Sequence, residues 1–392
     1  MTSEWNHSTI NDVCVLVTDG SHSSPKSVND GKYMVSVKDF TDYGFDFASC
    51  RMISNDDYET LKRNGCVPQI DDILIGKDGA RFFEDIIIYR QREKPALLSS
   101  IAILRCDKSK ILPDFLYYVL RTPSFRQDVK DNYGSGSAIP RIILKDFKRM
   151  MVSYPSLEKQ QAIISVLTAI DSKIQANTEI NDNLQQQAAA LFANFYDQAE
   201  TEVGFTEMIQ ILGGGTPKTG ESSYWNGDIP FFTPKDVGFP YTLTTEKTIT
   251  EEGLAHCNSR LYPINTVFVT ARGTVGKVGL PGVPMAMNQS CYALVGKDTH
   301  QLLVYFYTLK AVDRLKHKAS GAVFDAITTR DFEAENIMKL SDDDTKAFLD
   351  VAEPIYQAVL NNSIENLRLS ELRDSLLPKL MNGEIDVTDI RL

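Results

Sequence analysis

Between Ser156 and Tyr196 the apolar positions follow the repeat of a helix that packs along one stripe. Leu167, Ile170, Ile174, Asn177, Asn181, Leu184, Ala188, Leu191 and Phe195 succeed one another at alternating steps of three and four, the seam of a coiled coil. The same seam recurs 185 residues later as Ala352, Ile355, Val359, Asn362, Asn366, Leu369, Arg373, Leu376 and Leu380. Both copies interrupt the apolar stripe with two asparagines at matched positions, Asn177 and Asn181, then Asn362 and Asn366. Buried-type asparagines in a seam fix register at a cost in stability. The pattern predicts two long helices, each closing a globular segment, so the segments themselves should repeat.

They do repeat, in motif order more than in identity. Residues 1–155 carry short β-branched runs bounded by Gly, Asp or Pro: MVSVKDF, DDILIGKDG, DIIIYRQ and ALLSSIAILR. These predict strands. The run PDFLYYVLRTPSFRQDVKDN predicts a helix interrupted near Pro123. In residues 201–340 a glycine-rich opening returns as ILGGGTPKTG, and Lys38 and Asp39 find counterparts in Lys235 and Asp236 of IPFFTPKDV. DILIGKDGA corresponds to TVFVTARGT, placing Gly79 opposite Gly273, and Asp146 with Phe147 correspond to Asp331 with Phe332.

Composition adds bounds. The chain has 392 residues, 43% of them apolar, and a net charge of −11, which fits two globular domains plus helices. No apolar run reaches the roughly 18 residues of a membrane span, and Met1 to Ile10 lacks the features of a signal peptide, so a cytoplasmic protein is expected. The six cysteines include no C-x-x-C pair, which argues against structural zinc and a disulfide framework. The acidity is unevenly placed. Segments 156–200 and 341–392 hold 2 basic against 6 acidic and 5 against 11 residues, whereas 1–155 and 201–340 hold 21 against 21 and 13 against 14. The globular parts are therefore free to present a basic face to a phosphate backbone, and the acidic helices suit protein contacts.

No phosphate loop, nucleophile elbow or dinucleotide fingerprint is present. Pro113, Asp114, Asp128, Val129 and Lys130 imitate the P-D…D-x-K arrangement of magnesium-dependent nucleases, but the D-x-K triplet lies in helical periodicity. No metal, cofactor or catalytic residue is expected. Donor-rich loops remain. Arg272 stands beside Gly273 after an apolar strand, with Lys277 following; Asn288, Gln289 and Ser290 supply amides and a hydroxyl; Thr216, Lys218 and Lys235 sit on loops of the same half. Arg and Lys suit guanine or phosphate, and Asn or Gln suits adenine. The candidates in the first half are Ser21, His22, Lys26, Lys38, Lys77 and Arg81.

With GGGTPKTG, YWNGDIPFFTPKDV, RLYPINTVFVTARGTVGKVGL, MAMNQSCYAL, SGAVFDAITTRDF and LRDSLLPKLMNGEIDV in this order, the chain resembles the specificity subunit of type I DNA restriction-modification systems over essentially its whole length. The resemblance implies an α+β fold: two repeated mixed α/β target-recognition domains, 1–155 and 201–340, separated by helical regions 156–200 and 341–392 that form an antiparallel coiled coil. It implies a non-catalytic subunit whose domains each read half of a split, asymmetric double-stranded DNA site. It also implies helices that set the half-site spacing and dock modification (methyltransferase) subunits, two in number, with restriction (translocase and nuclease) subunits joining through the complex. A 40-residue helix spans about 60 Å, a suitable ruler. The second copy departs from the family: Pro155, Glu158 and Gln160 precede and open the first helix, but KLSDDDTKAF has none of them. Ser341 with Asp344 is expected to cap that helix, with Pro354 kinking it or marking its start. A self-contained nuclease and a coiled-coil scaffold for proteins are the rival readings.

Overall fold

The computed structural model describes residues 5–134, 140–238, 240–318, 326–385 and 387. The chain divides into two compact units, residues 1–171 with 370–392, and residues 172–369. Each unit combines one globular segment with stretches of both long helices, Leu157–Gln198 and Asp342–Met381.

In the first unit four antiparallel strands lie in the order Cys14–Asp19, Ile101–Cys106, Ile73–Gly76, Ile86–Ile88. A smaller sheet sets Lys32–Val35 between Arg51–Ile53 and a parallel neighbour, Ala96–Leu97. Asn6–Thr9 pairs with Met151–Tyr154 and so joins the start of the segment to its end. The expected helix is broken at Thr122 into Pro113–Arg121 and Pro123–Asn132. Proline has no N–H to continue the ladder, and the Thr122 hydroxyl caps the new helix by accepting from Phe125 N at 3.3 Å. The core gathers Ile73, Ile75, Leu104, Phe115 and Leu116 with Ile163 and Leu167 of one long helix and Leu377 and Leu380 of the other.

The second unit repeats this order: Ile209–Gly213, Cys291–Gly296, Val267–Thr270, Val278–Pro281, with Tyr241–Thr242 added in parallel at the edge. Trp225–Phe232 lies between Thr248–Ile249 and a parallel Ala286–Met287, and Thr201–Gly204 pairs with Asn336–Lys339. One unbroken helix, Gln301–Lys318, stands where the first unit has two. The opening of SGAVFDAITTRDF, residues 320–325, lies outside the described residues; its end forms the helix Thr329–Glu333.

Within the second unit the long helices run antiparallel and the four asparagines meet. Asn177 Nδ2 donates to Asn366 Oδ1 at 2.9 Å, and Asn362 Nδ2 donates to Asn181 Oδ1 at 2.8 Å. The spare hydrogens follow the same symmetry. Asn181 donates to Val359 O and Ser363 Oγ; Asn366 donates to Ile174 O and Thr178 Oγ1, the residues 185 positions away. A local two-fold axis thus relates the contacts. One contact breaks it: Asn177 also donates to Glu365 at 2.7 Å, and this bond, more than nearby Lys173, holds the Glu365 carboxyl below its usual range.

The seam itself drifts. Beyond Asn181 the buried positions are Gln185, Ala188, Phe192 and Tyr196, while Leu184, Leu191 and Phe195 are only half-buried. A straight helix of 3.6 residues per turn slips against a 3.5 repeat, and here the slip turns Phe192 and Tyr196 toward the domain core, where Phe192 stacks on Phe306 at 4.9 Å. The helix starts also differ. Fully buried Gln160 accepts from Leu112 N at 2.9 Å and donates to Lys110 O and Pro155 O, which gives this glutamine a structural role. The second helix has no such side chain. Ser341 Oγ accepts from Asp344 N at 3.1 Å, and the helix runs unbroken through Pro354 from Asp342, so Pro354 does not mark its start.

Removing one member of this quartet strands its partner. Asn362→Ala should destabilise the protein by about 1–3 kcal/mol in denaturant titration, because Asn181 Oδ1 loses its donor. The double change Asn181→Leu with Asn362→Leu should recover much of that loss. A double variant no more stable than the single one would mean that the two amides do not depend on each other.

Candidate nucleic-acid interface

In the second unit the fully buried strand Val267–Thr270 delivers the chain to a tight turn. Thr270 closes it: Thr270 N donates to Lys277 O, Lys277 N donates back to the Thr270 hydroxyl, both at 2.9 Å, and Gly276 N donates to Thr270 O at 2.8 Å. Gly273 and Gly276 take the left-handed conformation, with φ of +81° and +74°, which a side chain would oppose. Arg272 bridges its backbone to Ala326 and donates N–H to Ser290 O at 3.3 Å, leaving its side chain exposed. Among the described residues no carboxylate forms an ion pair with it. Asp236, in the turn after Trp225–Phe232, is committed elsewhere: it accepts from Thr233 N, Thr233 Oγ1 and Glu246 N at 2.6–2.8 Å.

A cavity of about 470 Å³ opens at this turn, bringing together Thr233, Lys235, Lys247, Arg272, Asn288 and Ser290, with Gly273 in its wall. Three cations face one acid, Glu246, which reaches Lys235 at 3.8 Å. The glycine-rich loop forms the neighbouring edge. A Cβ on Gly214 would lie 2.1 Å from Asn288 O, so only glycine permits that approach, and the Thr216 hydroxyl bonds Gln289. Lys218 and Lys277 are exposed but do not line the cavity. Sequence reasoning missed Thr233, Glu246, Lys247 and Thr274. A signal existed for Thr233, since S/T-x-K-D recurs in Ser36–Asp39 and Thr233–Asp236 and both aspartates accept from the hydroxyl residue three positions earlier. Lys247 carries no local signal; strand pairing beside Trp225–Phe232 brings it in, and its ammonium lies 5.7 Å from the Trp225 ring.

The first unit builds the same turn with different side chains. Gly79 has φ of +95°, Asp78 bridges to Arg141 as Arg272 does to Ala326, and Ile142 N donates to Lys77 O as Ile327 N does to Ala271 O. Asp78 therefore holds the position of Arg272, and Lys77 that of the buried Ala271. The consequence corrects two of the candidates. Lys77 is buried, 6% exposed, and pairs with Asp19 at 3.3 Å; its backbone, just past the strand Ile73–Gly76, is held on both sides by Ser100 O and Ile142 N. Ser21 is also buried, and its hydroxyl is used by Ser23 O and Ser23 N. His22 is exposed beside Asp19 at 3.3 Å, Lys26 and Lys38 are exposed, and Arg81 is exposed with a 2.7 Å bond to Asp85 that raises its pKa. Burial, with Asp39 close by, pushes the Cys50 thiol near Lys38 up to about 12, and burial does the same for Cys291, so neither is a thiolate at neutral pH.

The nuclease-like residues do not converge on a metal site. Asp114 opens the helix Pro113–Arg121 and is bound by Arg90 at 2.7 Å; Asp128 lies within the helix Pro123–Asn132 and accepts from Asn132; Lys130 reaches Glu84 at 3.6 Å. Among the described residues no group of three or more His, Cys, Asp or Glu is placed to hold a metal.

Comparison with known proteins agrees with the repeat. A type I restriction enzyme HindI specificity subunit from Haemophilus influenzae is 25% identical over 72% of this chain and 80% of its own length. The MjaIX specificity subunit from Methanocaldococcus jannaschii is 22% identical over 72% of this chain and 71% of its own. The crystal structure of a type I restriction-modification S subunit from M. genitalium shares the fold, with a TM-score of 0.58 at 14% identity over 97% of this chain and 96% of that one. The family profile described as type I restriction modification DNA specificity domain matches residues 2–186 and again 201–339. The chain belongs to that family and carries its recognition domain twice.

Proposed function

We propose that this chain is the non-catalytic, sequence-reading subunit of a type I restriction-modification complex, with domains 1–155 and 201–340 each reading one half of a split, asymmetric DNA target. Helical regions 156–200 and 341–392 set the half-site spacing and dock two modification subunits, through which restriction subunits join. The asparagine quartet serves as the register device of that spacer. No helix among the described residues is long and apolar enough to cross a membrane, and a cytoplasmic site of action is part of this reading.

One observation carries the reading: a turn with a left-handed glycine and the same backbone bridge occurs in both domains, preceded in one by an exposed Arg272 with no ion pair among the described residues and in the other by a half-buried Asp78 3.7 Å from Lys77. Guanidinium is the donor pair that fits guanine O6 and N7, and a carboxylate accepts from the amino group of cytosine. Two readers of one fold and opposite chemistry suit an asymmetric site. Lys235, Lys247, Gly273 and Asn288 line the cavity with Arg272, and Thr216, Lys218, Lys277 and Gln289 join them as phosphate and base contacts. His22, Lys26, Lys38 and Arg81 are their counterparts in the first domain.

The test is Arg272→Ala, assayed within the assembled complex. Affinity for the target should fall by about 1–3 kcal/mol and specificity relax at one position of one half-site, with the melting temperature nearly unchanged. If Arg272 grips phosphate, binding should weaken evenly across sequences and the salt slope drop by about one. A destabilised variant that still binds its site normally would remove Arg272 from the interface. Modularity gives a second expectation: replacing residues 1–155 by the equivalent domain of a relative should change one half-site in methylation mapping and leave the other intact. Simultaneous change of both would rule out two independent readers.

A further inference from the structure

In the first unit a cavity of about 340 Å³ opens where the helices Pro113–Arg121 and Pro123–Asn132 break apart. Three guanidinium groups, from Arg121, Arg126 and Arg373, line it together with Tyr118 and Asp374. Like charges gathered in a half-buried site repel unless each has a counter-charge. Arg373 has two: Asp171 at 2.9 Å, itself held by the Tyr118 hydroxyl at 2.7 Å, and Asp374 at 2.9 Å. Arg121 and Arg126 have none among the described residues. Arg121 bonds the Tyr117 hydroxyl and lies 4.8 Å from that ring. Arg126 donates Nη2 to Glu84 O at 3.2 Å, while its Nε is buried without any acceptor. Burial, and then the neighbouring Arg121, lower the pKa of Arg126. A buried, unpaired N–H is rare in proteins because leaving it dry is costly.

The other half of the chain serves as an internal control. Along the helix repeat, Asp171, Arg373 and Leu377 correspond to Tyr356, Ala188 and Phe192 of the second unit. There all three are buried, and Phe192, Phe306 and Tyr356 pack ring against ring at 4.9 and 5.7 Å. The repeated fold therefore needs no arginine at the position of Arg373, since that place is filled and apolar in the other copy. The open, cationic version needs another explanation.

We propose that this cavity binds a phosphate group, with Arg121 and Arg126 gripping it from the wall of the helix break and Arg373, fixed by its two aspartates, supplying the third charge. Guanidinium forks match phosphate oxygens, and the ten-residue helix that starts at Pro123 turns its positive end to the same rim. The phosphate comes either from free phosphate esters or from a DNA backbone. The second source rests on the specificity-subunit reading and is favoured by the chain segment that anchors Arg126 through Glu84 O, because it also carries Arg81.

The experiment uses the full chain, with and without its modification subunits, and compares wild type with Arg121→Gln/Arg126→Gln. Inorganic phosphate should raise the melting temperature of wild type by a few degrees above chloride at equal ionic strength, and this rise should vanish in the variant. With a random-sequence duplex bound to the complex, the variant's salt slope should fall by about one to two if the phosphate is that of DNA. An unchanged slope with the phosphate response lost assigns the site to free phosphate esters. Should the double variant fail to fold, Arg121→Gln alone, which gives up a single bond, takes its place. A wild type without the phosphate-specific rise overturns the proposal, as does a folded variant that keeps the rise. Loss of modification-subunit binding with phosphate response and slope intact overturns it too, in favour of an acidic protein partner. A wild-type complex that binds no DNA defeats the specificity reading and leaves the phosphate response to be judged separately.

Discussion

The asparagine quartet is the constraint on which the arrangement of the long helices rests. An apolar seam gains nearly as much from sliding by a heptad as from staying in place. Amides that must find one another cannot slide, since each would lose a donor or acceptor in a site that is largely closed to water: Asn177 is 1% and Asn181 8% exposed. The pairing is also indifferent to which helix is which, because every bond from one asparagine has its counterpart 185 residues away. Only the Glu365 contact distinguishes the two directions, and it lies at the exposed edge of the pair.

The two domains place different demands on a shared fold. Hydrophobic strands, the hydroxyl–aspartate turns and the left-handed glycine at Gly79 and Gly273 recur because the backbone requires them. Side chains that the backbone does not use diverge freely. Lys77 against Ala271 is an instance inside the core, where the first domain tolerates a buried cation because Asp19 lies 3.3 Å and Asp78 3.7 Å away. Aromatic packing at Phe192, Phe306 and Tyr356 against the arginine-lined break in the first unit is another.

Much of this was legible in the sequence, and the reasons are local. The seam, its asparagines and the break at Pro123 are periodic or steric signals that survive in a single chain. The alignment of Lys38–Asp39 with Lys235–Asp236 held because a capping turn is written in four residues. Less was legible in the site. Lys247 reaches the cavity through strand pairing, and Lys77 leaves the surface because the segments packed around the end of its strand enclose it beside Asp19; neither fact is visible without the tertiary fold. The slip of the seam from Leu184, Leu191 and Phe195 to Gln185, Phe192 and Tyr196 depends on what the helix packs against, and that is a tertiary matter.

The turn at Gly79 and Gly273 has a consequence for how such a protein diversifies. Its shape is held by main-chain bonds, in the second unit also by the Thr270 hydroxyl, and by a glycine with positive φ, so the residue just before that glycine contributes little to holding the shape. Asp78 and Arg272 demonstrate the latitude within one molecule, a full reversal of charge before a glycine that both turns share. A position with that freedom can pass through many residue types by single substitutions without an unfolded intermediate. Lineages carrying this frame can then drift to new preferences one residue at a time.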